Sequence, residues 1–271
     1  MYVNPIETAQ ALIREGPVLD GRSMSYLESS RLEDIEGSWQ VNLIEEIMTE
    51  LPARRINASR ALSAITQLTK GPGTVLDIGC QCGVFLTVAA EHGWDCHGLE
   101  PLFAPAIYAR ARFGLRVVTD TLGETTYPPE FFDVVTAFQV FEHLIDPARE
   151  VAYIRRCLKP GGLLVVEVPD IASLWVKVFG ARHRHFVEDH VSFFSACTLN
   201  RLLTRMGFRV RRILHPARTL TLRHLAWWVG RHVHSASGDY LARAASRLHL
   251  DSRTVRVNLR DILMVIAEKA T

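Results

Sequence analysis

From Thr74 onward the chain alternates between short apolar runs and helical repeats, and this alternation restricts the fold more than any other feature. "TVLDIG", "DCHGLEP", "LRVVTD", "FFDVVTAFQV" and "GGLLVVEVPD" read as five strands. Between them, "GVFLTVAAEHG", "APAIYARARFG" and "PAREVAYIRRCL" carry apolar residues at helical spacing, the last with Pro147 in its first turn. Strands that are apolar almost throughout are buried on both faces, and helices of this length connect parallel neighbours. "TLNRLLTRMGFRVRRIL" adds a helix, a stop at Gly207 and a sixth strand, and the tail "VRVNLRDILMVIAEK" reads as a last one. The expectation is an α/β fold around a seven-stranded, mostly parallel sheet covered on both sides.

Two regions break the alternation. Residues 1–73 read as an N-terminal helical cap segment. There "SWQVNLIEEIMTEL" spaces Val41, Ile44, Ile47, Met48 and Leu51 along one helical face, and Pro52 ends or bends the helix. "ASRALSAITQLTK" follows as a second helix, stopped by "GPG" at 71–73. Residues 215–254 form a basic insertion holding "TLRHLAWWVGRHV" and "YLARAASRLHL", two amphipathic helical patterns. Six arginines and five histidines stand there against Asp239 and Asp251 alone. The remainder, 74–214 plus 255–271, reads as the core.

In an open parallel sheet, ligands bind beyond the carboxyl ends of the strands, where strand order reverses. The first strand-to-helix turn is "DIGCQCG". Its glycines let backbone approach a ligand closely, and the helix behind it offers free N–H groups. Glu100 ends the second strand, where a carboxylate can accept both hydroxyl hydrogens of a ribose. The pair Cys80 and Cys82 raises a metal or redox reading, but no second thiol pair stands at ligand spacing, so small packing residues are expected.

Taken in order, "VLDIGCQCG", "GLEP", "FDVVTAFQVFEHLIDP", "LKPGGLLVVEVPD" and "LTRMGF" resemble the consecutive motifs of class I S-adenosylmethionine-dependent methyltransferases. The tail "NLRDILMVIAEK" is similar to that family's final antiparallel strand. The resemblance runs from about Thr74 to Leu214. "FEHLIDP" and "HVSFFS" further resemble a subgroup with small-molecule O-methyltransferases of ubiquinone-biosynthesis and secondary-metabolite type. It implies a Rossmann-like three-layer sandwich with N-terminal helices and a helical insertion before the last strand. It also implies S-adenosylmethionine as cofactor, S-adenosylhomocysteine as product and a small-molecule acceptor.

Carried over residue by residue, the resemblance has Asp77 orient the loop and approach the methionine amino group. Gly79 and Cys80 would pass close to the cofactor, and Gly83 would start the helix. Glu100 would hold the ribose, with Pro101 or Leu102 packed on the adenine. Asp120, Thr121 and Leu122 would border the adenine edge, and Gln139 would lie beside the methionine moiety. The departure is Gln81, where the family usually has a second glycine, so that position needs a permitted φ.

Displacement at a sulfonium methyl releases a neutral thioether, so alignment and desolvation do most of the work. A protonated oxygen nucleophile also needs a base, and His143, His190 and His185 are the candidates, in that order. Glu142 with His143 has a metal-capable composition, as has the cluster His183, His185, Glu188, Asp189 and His190; no metal is expected at either. The insertion reads as a lid with Trp227 and Trp228 on its apolar face, with weak membrane-surface contact or binding of an anionic substrate or carrier as the sharper alternatives.

Two rivals differ in class. A nicotinamide-dependent oxidoreductase would want G-x-G-x-x-G, where this chain has Gln81 between Gly79 and Gly83. A non-catalytic S-adenosylmethionine-binding partner protein would draw support from Gln81 alone. Composition leaves little else open. Of 271 residues 48% are hydrophobic and 22% charged, and a net charge of +2 does not mark a nucleic-acid binder. The first residues carry no basic stretch leading into an apolar run, no apolar span reaches membrane length, and the five cysteines are an odd count. A cytoplasmic setting is expected.

Overall fold

A computed structural model describes residues 39–123, 127–180, 183–233, 247 and 253–270, at 228–233 the backbone alone. Helices α1 (Trp39–Thr49) and α2 (Leu51–Thr66) precede the alternating core. Pro52 does divide them, but it sits in the first turn of α2, where its missing N–H has no partner to lose. The core runs β1 (Thr74–Ile78), α3 (Val84–Glu91), β2 (Asp95–Leu99), α4 (Phe103–Phe113), β3 (Arg116–Val118), β4 (Phe132–Phe138), α5 (Pro147–Cys157) and β5 (Leu158–Pro169). Then come α6 (Leu174–Phe179), α7 (Ala196–Arg205), β6 (Phe208–Leu214), β7 (Arg218–Thr221), α8 (Leu222–Val233), β8 (Thr254–Val257) and β9 (Ile262–Lys269).

The main sheet has seven strands in the order β3-β2-β1-β4-β5-β9-β6. All pairs from β3 to β5 are parallel, while β9 runs antiparallel to both β5 and β6. Order reverses between β1 and β4, which opens a crevice beyond their carboxyl ends. Alternate residues feed the two faces. Val75, Val134, Leu163 and Val165 pack with α2, α3 and α4. Leu76, Val135, Leu164 and Val166 pack with Val151 and Ile154 of α5 and Leu199 and Leu203 of α7. The fully apolar strands thus match a sheet buried on both faces.

Two local readings change. The tail is two strands rather than one: Arg260 adopts φ 54° just before β9, and β8 leaves the main sheet to pair antiparallel with β7. The insertion consequently begins with a strand, and its helical pattern at 222–233 follows as α8. The second pattern, "YLARAASRLHL", and the cap residues before Trp39 lie outside the described residues, as does the side chain of Trp228. No helix among the described residues is long and apolar enough to cross a membrane.

Candidate active site

The loop after β1 is built on positive φ. Gly79 has φ 68° and its N–H donates to the Leu99 carbonyl at 2.7 Å. A Cβ there would lie 2.6 Å from Val140 Cγ2, so only glycine lets the loop sit against the end of β4. Gln81 adopts φ 49°, the left-handed conformation that a glycine would hold freely. Its N–H donates to Glu100 Oε2 at 2.8 Å, and its side-chain oxygen accepts from Arg54 of α2 at 3.4 Å. The departure from glycine therefore leaves the backbone shape intact and ties the loop to the N-terminal helix. Gly83, at φ 74°, caps α3.

Asp77 is buried at the end of β1, and Thr136 Oγ1 donates to its Oδ1 at 2.6 Å. Burial pushes its carboxyl up to about 7, with Thr136 opposing and Glu100 adding to the rise. Glu100 is buried too, and its Oε1 accepts from the Leu102 N–H at 2.8 Å. Burial raises its pKa while the Leu102 and Gln81 amides pull it down. Each carboxylate oxygen keeps acceptor capacity beyond its one backbone donor.

A cavity of about 470 Å³ opens over this loop, at the crevice between β1 and β4. Asp77, Gly79, Cys80, Gln139 and His185 line it, bringing five of the anticipated residues together. Gln139, just past β4, holds φ 57° and sends its side-chain amide to Glu167 Oε1 over a long 3.5 Å. Glu167 is buried on β5 and paired with Arg218 of β7. Glu100 and Gly83 stand behind the lining rather than on it. Asp120 and Thr121 are exposed after β3, Leu122 is buried in the core beneath, and Pro101 is exposed after β2.

The three candidate histidines part company. His185 is buried on the cavity wall, its Nε2 3.2 Å from Asp261 Oδ2. His143 is exposed on a 3₁₀ turn (Phe141–His143), its Nδ1 3.0 Å from the Asp189 carbonyl. His190 lies against it, ring centroids 4.8 Å apart, and burial lowers its pKa. Glu142 converges on that pair with a buried carboxylate whose oxygens have no hydrogen-bond partner among the described residues. Burial pushes this carboxyl up to about 7.

The thiols pack. Cys82 is fully buried under α1 beside Ile44, Ile47 and Phe103, and burial raises its thiol to about 12. Cys80, also buried, is raised well above the usual thiol range by the same cause. Neither is poised as a thiolate.

Sequence reasoning expected a cap and a lid but named none of the polar residues with which they line the cavity. Glu50, the residue before α2, and Arg54 and Asn57 of α2 line it together with Arg218, Thr219 and Leu220 of β7. Asn57 Oδ1 accepts from the Thr219 N–H at 2.8 Å while Asn57 Nδ2 donates to the Thr219 carbonyl at 2.9 Å. Arg60 donates to the Thr219 hydroxyl at 2.6 Å, and the Thr221 hydroxyl donates to Glu50. A second cavity of about 200 Å³ adjoins it, lined by Glu46, Glu50, Arg223, His224 and Trp227. One signal for Glu167 was present: it is the single charged residue in "GLLVVEVP".

Residues 48–213 match the model of a family described as "Methyltransferase domain". The chain belongs to this methyltransferase family. Its fold is that of the S-adenosylmethionine-dependent members. A structure from Archaeoglobus fulgidus, described as a SAM-dependent methyltransferase, superposes with a TM-score of 0.55 at 23% identity, covering 79% of this chain and 94% of that one. A SAM-dependent methyltransferase from Thermotoga maritima does so with a TM-score of 0.56 at 20% identity, covering 84% and 95%. Among curated relatives, the ubiquinone biosynthesis O-methyltransferase of Pectobacterium carotovorum is 31% identical over 156 residues, 54% of this chain and 60% of that protein. The protein of the same description from Yersinia pestis is 32% identical over 142 residues, 49% and 54% respectively. The chain therefore spans little more than half the length of these relatives.

The residues present fit the family's cofactor. A strained loop with a glycine that no Cβ could replace, two buried carboxylates and a cavity of ligand size suit a cationic, ribose-bearing molecule.

Proposed function

We propose that the protein transfers the methyl group of S-adenosylmethionine to an oxygen on a small or medium organic acceptor, by in-line displacement. The observation that carries this reading is the convergence of Asp77, Gly79, Gln139, Glu167 and His185 on one cavity at the reversal of strand order. When bound, S-adenosylmethionine supplies a methyl group on a sulfonium whose departure as a neutral thioether needs no acid. The remaining work belongs to the chain. Asp77 accepts from the methionine amino group, and Glu100 accepts from the ribose hydroxyls with its spare lone pairs. Pro101 or Leu102 packs on the adenine, bordered by Asp120, Thr121 and Leu122. Cys80 and Gln139 bound the methionine arm.

The base that takes the acceptor's proton is His185, which the cavity favours over His143 and His190. Methyl transfer of this kind makes no demand for a metal. The cap segment 1–73 and the insertion 215–254 close the substrate side over the core 74–214 plus 255–271. The bonds from Asn57, Arg60 and Glu50 to β7 support that division of labour. Kinship with ubiquinone-type O-methyltransferases supports oxygen as the nucleophile, and buried free thiols suit a reducing cytoplasm.

The test is a screen with methyl-labelled S-adenosylmethionine against phenols, catechols, carboxylic acids and amines, read by mass spectrometry. Labelled ether or ester products, lost in His185→Asn, are expected. Label found only on nitrogen or carbon would overturn the choice of nucleophile.

A further inference from the structure

Asp261 lies in the tail "NLRDILMVIAEK" with no role assigned to it from the sequence, yet it holds the histidine on the cavity wall. It stands immediately before β9, at the edge where the parallel strands end, and its backbone carbonyl accepts from the Asp170 N–H at 2.9 Å. Its carboxylate is buried and meets three side chains at one oxygen. Oδ2 lies 3.2 Å from His185 Nε2, 4.0 Å from His183 Nε2, and 2.8 and 3.1 Å from Arg184 Nη2 and Nε. His185 Nδ1 has no hydrogen-bond partner among the described residues.

We infer that Asp261 is a positioning residue: it fixes His185 as the Nε2–H tautomer, so that the Nδ1 lone pair is free to take the acceptor's proton. Arg184 is the second half of the device. A carboxylate facing an imidazole alone would favour imidazolium, which cannot act as a base. Here the guanidinium carries the counter-charge of the carboxylate while the hydrogen bond orients the ring. Burial by itself would raise the Asp261 carboxyl, but His185 and Arg184 override it and hold it well below the usual carboxylate range. The acceptor thus sees an oriented base over a buried anion. As its oxygen bonds to the methyl carbon, the carbon–sulfur bond breaks with its electron pair left on the neutral thioether, the acceptor's proton passes to Nδ1, and the imidazolium later releases that proton to water.

Other groups face this ring. The His183 ring lies 4.8 Å away between centroids, His190 donates from Nδ1 to the His185 carbonyl at 2.8 Å, and the paired Glu167 and Arg218 line the same cavity. None of these reaches His185 Nε2 or shares its carboxylate except His183.

The inference rests on the methyltransferase reading, but its test does not need turnover. Nitrogen-15 histidine NMR on the full chain, titrated across neutral pH, reports the tautomer and pKa of His185 directly. The wild type should show Nε2–H when neutral. Asp261→Asn removes the charge that favours imidazolium and should lower the His185 pKa. Arg184→Gln removes the opposing charge and should raise it. Each shift should be about 1 unit or more for groups this close. A purely structural role for Asp261 would not produce opposed shifts. An Nδ1–H tautomer in the wild type, or shifts of the same sign in both variants, would overturn the assignment. The wild-type tautomer needs no variant, and Arg184 is partly exposed, so misfolding of Asp261→Asn does not remove the test. A wild-type chain with this tautomer and these shifts that binds no S-adenosylhomocysteine would support the role of Asp261 and overturn the methyltransferase reading instead.

Discussion

Gly79→Ala imposes two costs on the cofactor loop that can be separated. The first is conformational. Gly79 sits at φ 68°, and an alanine in left-handed backbone costs roughly 1–2 kcal/mol, partly offset because alanine restricts the unfolded chain by about 0.4–1 kcal/mol. The second is steric. The new Cβ would lie 2.6 Å from Val140 Cγ2, far inside ordinary carbon contact, and Val140 is β-branched with little rotamer freedom. Forcing such a shift typically costs about 1–3 kcal/mol. The sum is about 1–4.5 kcal/mol, which lowers Tm by on the order of 10 °C in a chain of this size. Val140→Ala removes the second cost and leaves the first. Urea unfolding of the wild type, both single variants and the double variant should therefore show a favourable coupling of about 1–3 kcal/mol between the two sites. S-adenosylhomocysteine binding should recover in part alongside it. Costs that simply add, within about 0.5 kcal/mol, would mean the loop does not press on β4 as described, and the reasoning for a glycine at 79 would fail.

Two further predictions concern pH, and both turn on carboxyls whose pKa rises on folding. For Asp77, raised to about 7 by burial, the folded state holds the proton longer than the unfolded one. Its stabilising contribution is full below the unfolded pKa of about 4 and lost as pH rises through about 7. Asp77→Asn should flatten that decline in denaturation curves taken across this window. Because the ionised form is the one that accepts from an amino group, S-adenosylhomocysteine affinity should strengthen as pH rises through about 7, with proton release measurable by calorimetry in two buffers. Glu142, likewise raised to about 7 and without a hydrogen-bond partner among the described residues, should make Glu142→Gln more stable than wild type above that pH and of nearly equal stability well below it. Equal effects at both ends would contradict the burial argument.

The sheet was legible because its strands are apolar on both faces and its helices keep a 3.6-residue period; both are local signals. The loop was legible from the spacing of Gly79, Gly83 and Glu100, and the left-handed backbone at Gln81 follows from the same turn geometry. The cap was not. "RTLT" and "TVRV" are short, polar-patterned segments, and their pairing depends on a partner on the far side of α8. The ion pairs that furnish the cavity join residues 51 and 77 positions apart, Glu167 with Arg218 and Arg184 with Asp261, and no local period records them. For the same reason the position of a histidine relative to strand ends could not separate His143 from His185, since the wall that His185 joins is assembled from distant segments.

The central claim is that this cavity holds S-adenosylmethionine. Calorimetric titration of the full chain with S-adenosylhomocysteine and, separately, with NAD tests it most directly. The account predicts saturable one-to-one binding of S-adenosylhomocysteine, weakened by Glu100→Ala, and no heat of binding with NAD. Binding of NAD with none of S-adenosylhomocysteine would contradict it.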